Sequence, residues 1–119
     1  MISLMADPKD NPFYPHPSDN PGLVLVSQPL GEDNYSSWKR AMVLALESKN
    51  KIGFVDGSIQ QPEPENPQFR AWKRNNNLVA SWLINSINKE ITASVIYSDT
   101  AAAIWHDKNQ VPDIEAQYQ

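Results

Sequence analysis

The placement of proline sets the first limit on how this chain can fold. Six of its ten prolines lie within residues 8–29, and three more fall within residues 62–67. Because proline fixes φ and has no backbone donor, neither stretch can form a regular helix. We therefore expect helices only between and after these stretches, and 119 residues leave room for one small domain.

The clearest helical pattern runs from residue 34 to residue 50, where apolar side chains recur at steps of three and four. Asp33 or Asn34 is the predicted cap, accepting from the free amides of the first turn. Lys49 and Lys51 follow the negative end of the helix, where cations are favoured. The apolar stripe comprises Tyr35, Trp38, Met42, Ala45 and Leu46.

A second stripe predicts a helix that opens at Asn66-Pro67, with Asn66 as its cap, and ends near Asn85 or Ile87. The run Asn75-Asn76-Asn77 is a weak helix former, but packing usually overrides propensity. The stripe comprises Phe69, Trp72, Asn76, Val79, Leu83 and Ser86, and Leu78 and Trp82 widen it.

Two shorter helices complete the expected set. Asn88 can cap a helix over residues 89–97, and Ser98 or Asp99 can cap another that begins at Thr100. The apolar pattern of the last helix does not continue beyond residue 107.

One short β-prone run stands apart from the helices. Residues 23–26 follow a Pro-Gly turn, and residues 52–55 are their best pairing partner. Such a ribbon is marginal unless it packs on helices. The predicted fold class is therefore all-α, a small capsid-like domain of about four helices, with an extended proline-rich arm and room for a two-stranded ribbon.

The same boundaries divide the chain. Residues 1–21 are expected to form a flexible arm, and residues 22–107 a helical domain with a linker at 58–67. Residues 108–119 are expected to form a divergent, disordered tail.

The sequence offers no arrangement that predicts catalysis. The chain has no cysteine, and its two histidines, His16 and His106, lie on the arm and at a helix end. Nucleophilic catalysis needs a nucleophile beside an oriented base, and acid–base work needs a carboxyl group beside an apolar pocket. We expect no enzyme, no metal, no cofactor and no small-molecule substrate.

The charge pattern weakens a nucleic-acid hypothesis without removing it. The net charge is −4, whereas nucleic-acid-binding domains usually present a basic surface. Lys39, Arg40, Lys73 and Arg74 lie near tryptophans and are the candidate phosphate contacts. Solvated basic faces on helices with buried tryptophans are the favoured interpretation.

No segment has the features of a secretion signal or a membrane span. We therefore expect an intracellular protein, cytoplasmic or nuclear, that is not secreted and has no membrane partner.

Several motifs occur together in a recognisable order. They are Asn11 to Gly22 (NPFYPHPSDNPG), Leu25 to Leu30 (LVSQPL), Asn34 to Trp38 (NYSSW) with Met42, Lys49 to Gly57 (KNKIGFVDG), and the later SWLINS and AAAIW segments. In this order they resemble the N-terminal Gag region of plant Ty1/copia-type LTR retrotransposons, over about residues 10 to 107.

The resemblance implies structural work. Gag of this class is similar to retroviral capsid protein, with helical domains that self-associate, so other Gag copies are the expected partners and RNA only an indirect one. It assigns Tyr35, Trp38, Met42, Trp72, Trp82 and Trp105 to packing or interface positions. The sequence departs from the family after residue 107 and lacks a cysteine knuckle, which suggests a truncated Gag fragment.

Three other interpretations stay open on the sequence. The chain could be a host protein-interaction module that docks through its arm, a weak nucleic-acid binder, or a non-functional remnant of a degenerate element.

Overall fold

The computed structural model describes residues 10–107, apart from the side chains of Ala93, Ser94 and Asp107. Over this range the chain forms five helices and no sheet, which confirms the all-α prediction. The helices are α1 (Tyr35–Ser48), α2 (Gly53–Asp56), α3 (Phe69–Asn85), α4 (Lys89–Val95) and α5 (Ala101–Asp107). The predicted tail and the first nine residues of the predicted arm lie outside the described residues.

Helix α1 buries the stripe that its sequence predicts, with Trp38, Met42 and Leu46 facing the core. The predicted side-chain cap is wrong. Asn34 occupies the cap position but accepts from the backbone N–H of Gly31 at 2.7 Å and donates to the carbonyl of Pro29 at 2.9 Å. Its amide is therefore used to close the turn before the helix.

Helix α2 replaces one strand of the predicted ribbon, so that prediction is wrong among the described residues. Phe54 and Val55 are buried on this single turn, which ends at Gly57 with a φ of 88°. A strand there would need a pairing partner, whereas a helical turn satisfies its backbone locally. Leu30 makes the only bridge among the described residues, a parallel one to Ile87.

The first turns of α4 and α5 are capped in different ways. Asn88 caps α4 as predicted, accepting from the backbone N–H of Glu90 at 2.9 Å. At the start of α5, Thr100 Oγ1 accepts from the N–H of Ala103 at 3.0 Å, and Asn76 Oδ1 on α3 accepts from the N–H of Ala101 at 2.8 Å.

The core lies where α3 meets α2 and α5, and α1 adds Trp38, Met42 and Leu46 to it. Buried apolar residues from all five helices and from the segments before α1 and after α3 meet there. They are Val26, Leu30, Trp38, Met42, Leu46, Phe54, Val55, Trp72, Val79, Trp82, Leu83, Ile87, Val95, Ala101 and Ile104.

Candidate functional site

Residues 10–21, here called the docked segment, run across the helical body. Phe13 packs against the core, with its ring centroid 5.9 Å from that of Phe54. Side chains of the body donate to backbone carbonyls of this segment: Asn50 to Asp10, Lys51 to Pro12 and Tyr14, Asn75 to Phe13, Trp82 to Asn20, and Asn85 to Pro21. The predicted flexibility of residues 1–21 stays a prediction, since contacts do not measure motion.

Lys51 is the centre of these contacts and is only 2 % exposed. Its Nζ donates to Asn75 Oδ1 at 2.8 Å and to the carbonyls of Pro12 and Tyr14. Burial lowers the pKa of the Lys51 ammonium, nearby Asp19 raises it, and Lys49 lowers it further. A buried cation costs free energy unless it is hydrogen-bonded, so these acceptors explain how Lys51 is tolerated.

A second group of contacts holds the other end of the docked segment. Lys49 Nζ lies 2.8 Å from Asp19 Oδ1 and 5.4 Å from the ring centroid of Trp82. The indole of Trp82 donates to the carbonyl of Asn20 at 2.7 Å, and Asn85 donates to that of Pro21 at 2.8 Å. Lys49, Asn50 and Lys51, which follow one another in sequence, therefore all contact the docked segment.

An open groove of about 350 Å³ lies between the docked segment and α3. The docked segment supplies one wall, and α3 supplies the other. The lining residues are Phe13, Pro15, His16, Asp19, Pro21, Arg74, Asn75, Asn77, Leu78 and Ser81. The groove therefore exists only while the segment is docked, and it is the candidate functional site.

The six predicted packing or interface residues lie in or beside the core. Trp38, Met42, Trp72 and Trp82 are buried, whereas Tyr35 and Trp105 are partly buried against the same cluster. The indole of Trp38 donates to the carbonyl of Ser86 at 2.8 Å and stacks on Trp105 with ring centroids 5.7 Å apart. An interface role for any of them stays a prediction.

The four candidate nucleic-acid contacts are all exposed, and they lie on two different helices. Lys39 lies over the ring of Tyr35 on α1, 5.8 Å from its centroid, and Arg40 is its neighbour. Lys73 and Arg74 lie on α3, and only Arg74 lines the groove.

Exposed apolar side chains mark a second surface. Ile96 and Tyr97, which follow α4, are 47 % and 90 % exposed. Val24, before α1, and Leu44, on α1, are also exposed.

The described part of the chain holds no cluster of three metal-ligating side chains. His16 is exposed and pairs with Ser18 at 2.9 Å, and His106 is exposed on α5. No helix within residues 10–107 is both long and apolar enough to cross a bilayer.

Sequence reasoning missed Lys51 and Asn75 as the residues that hold the docked segment. The position of Lys51 after α1 predicts an exposed lysine beside the negative end of the helix, since lysine is almost never fully buried. The only signal was indirect: the segment and the Lys49–Lys51 run belong to motifs of the same pattern.

Comparisons with known proteins show which family the chain resembles. Residues 16–63 match the model of the family described as Gag-polypeptide of LTR copia-type. Two Arabidopsis thaliana proteins, the Retrovirus-related Pol polyproteins from transposons RE1 and RE2, are 28 % and 26 % identical to the chain over 91 residues.

These alignments cover 69 % of this chain and 6 % of each relative, so the chain spans a small part of their length. No solved structure gives a significant match. The resemblance predicted from the motifs is confirmed: residues 16–63 are similar to the Gag polypeptides of copia-type LTR retrotransposons, and the two relatives are plant transposon proteins.

Proposed function

We propose that this domain is a capsid-type module that associates with further copies of itself and does structural, not catalytic, work. The match to a Gag polypeptide family supports this direction. The observation that carries it is the exposed pair Ile96 and Tyr97, two large apolar side chains side by side after α4.

Tyr97 differs from the other aromatic side chains of the described residues. Phe13, Tyr14, Tyr35, Phe69 and Trp105 are partly buried, and the remaining aromatic side chains are buried, whereas Tyr97 is 90 % exposed. Tyrosine combines a large apolar ring with a hydroxyl group, and it is enriched in protein interfaces for that reason. Covering Tyr97 and Ile96 with a second copy removes apolar area from water at little conformational cost.

Size exclusion coupled to light scattering, over a wide range of protein concentration, tests the proposal. We expect a reversible increase in mass with concentration. Tyr97→Ser should shift that increase to higher concentration, while Val24→Ser, at an exposed apolar residue elsewhere, should leave it in place.

Two outcomes would contradict the proposal at different levels. A constant monomer mass up to about the millimolar range, where weak interfaces populate, rules out self-association. Equal effects of Tyr97→Ser and Val24→Ser would show that the association does not depend on the surface after α4.

A further inference from the structure

The groove beside α3 carries an exposed cation with no acidic partner. Arg74 lines the groove, and the one ion pair found within residues 10–107 joins Lys49 to Asp19 instead. Asp19 also lines the groove, but its carboxylate is 2.8 Å from Lys49 Nζ and is thereby compensated. The groove therefore presents the uncompensated positive charge of Arg74 beside apolar walls from Phe13, Pro15 and Leu78.

The linker before α3 presents the opposite charge on a fixed turn. The backbone N–H of Asn66 donates to the carbonyl of Glu63 at 2.9 Å, which closes a turn with Pro64 at its second position. Proline is favoured there because its φ is already set. Glu63, Pro64 and Glu65 are exposed, and neither carboxylate has an ion-pair partner among the described residues.

These two surfaces are complementary, yet they do not meet within one copy. No residue of the turn lines the groove of its own chain. We infer that the groove of one copy binds the Glu63–Asn66 turn of a second copy, with Pro64 against the apolar wall and a glutamate carboxylate on the guanidinium of Arg74.

Two properties favour this occupant. Arginine binds carboxylates through paired donors, which fixes the orientation of the incoming turn. The turn is already closed by its own hydrogen bond, so little conformational freedom remains to be lost on binding. The volume of about 350 Å³ is at the small end of binding pockets and suits the tip of a turn.

The contact would join two different surfaces, groove to turn, and such head-to-tail contacts generate rings or open chains. It rests on the proposed self-association and adds a second interface to the surface after α4. A module with two independent contacts can extend in more than one direction, as a shell requires.

Charge reversal tests the contact on the full chain. Arg74→Glu alone, and Glu63→Lys with Glu65→Lys together, should each weaken association about tenfold in sedimentation at low salt, because like charges then face each other. The triple variant should regain the wild-type association. An equimolar mixture of the two reversed proteins should also associate, since every groove in it can meet a turn of opposite charge.

Lys73→Glu is the matched control, because Lys73 is the exposed neighbour of Arg74 on α3 but does not line the groove. If the reversals act no more strongly than this control while wild type still associates, the groove contact is wrong and self-association stands. If neither the mixture nor the triple variant regained association, the groove contact would also be wrong. A wild-type protein that stays monomeric throughout rejects both proposals.

Discussion

Lys51 Nζ and Asn75 Oδ1 lie 2.8 Å apart in the interior, where the turn after α1 meets α3. The same ammonium reaches the carbonyls of Pro12 and Tyr14, so one buried cation links three parts of the chain. This link is one of the contacts that hold residues 10–21, and with them one wall of the groove, against the helical body.

Lys51→Met should lower the free energy of unfolding by about 1–3 kcal/mol, because one buried and two partly buried contacts to oxygen atoms lose their donor. Urea denaturation measures this loss. Hydrogen exchange at residues 10–21 should become faster in the same variant. Lys73→Met removes an exposed cation from α3 and should change neither quantity, and a similar loss in both variants would argue against the link.

The stability contributed by Lys51 should rise with pH in the alkaline range. Burial holds its folded pKa below the ordinary value of about 10.4, which the unfolded chain retains. Between these two values the unfolded state binds a proton that the folded state has lost, so the free energy of unfolding increases with pH. The difference in free energy of unfolding between wild type and Lys51→Met should therefore grow as the pH rises through the alkaline range towards the ordinary lysine pKa, and a shrinking difference would contradict the lowered pKa.

Met42→Ala should cost about 2–5 kcal/mol of stability, because Met42 is fully buried and its removal leaves a cavity that neighbours refill only in part. Thermal and urea unfolding give the value. Leu44→Ala lies two residues away on the same helix, at a side chain that is 52 % exposed, and should cost less than about 1 kcal/mol. Equal losses of stability in the two variants would mean that α1 does not bury the face that carries Met42.

Gly53→Ala should destabilise the fold by about 1–3 kcal/mol, since an added Cβ would lie 2.6 Å from the side chain of Ile59. Gly31→Ala is the comparison, because its nearest neighbour would be 3.8 Å away, at Asn34 Oδ1. Unfolding midpoints of the two variants should differ clearly, and a neutral Gly53→Ala would show that α2 is looser than its contacts indicate.

Sequence patterns predicted the helices well where an amphipathic stripe was long. The stripe through Trp38, Met42 and Leu46 is buried as expected, and Asn88 caps α4 as expected. Helix α2 has only four residues, too few to display a helical period, and its apolar run was therefore assigned to a strand.

Polar residues in the interior were the least predictable part of the site. Asn75 and Asn76 are both buried, whereas the sequence places only Asn76 on the apolar stripe and marks Asn75 as a weak helix former. Asn75 donates to Phe13 and accepts from Lys51, and Asn76 accepts from the first amide of α5. Each role depends on a partner at least 24 residues away along the chain, which no local pattern contains.

Apart from Phe13, whose side chain packs against the core, the docked segment is held mainly by hydrogen bonds to its backbone. Asp19 is the side chain that shares an ion pair with the body, whereas the donors from Asn50, Lys51, Trp82 and Asn85 reach main-chain carbonyls. Because such donors contact main-chain carbonyls, these hydrogen bonds do not depend on most side chains of the segment. Substitutions at the outward-facing positions of this segment would thus be tolerated. They would change the shape and chemistry of the groove while leaving the attachment of the segment intact.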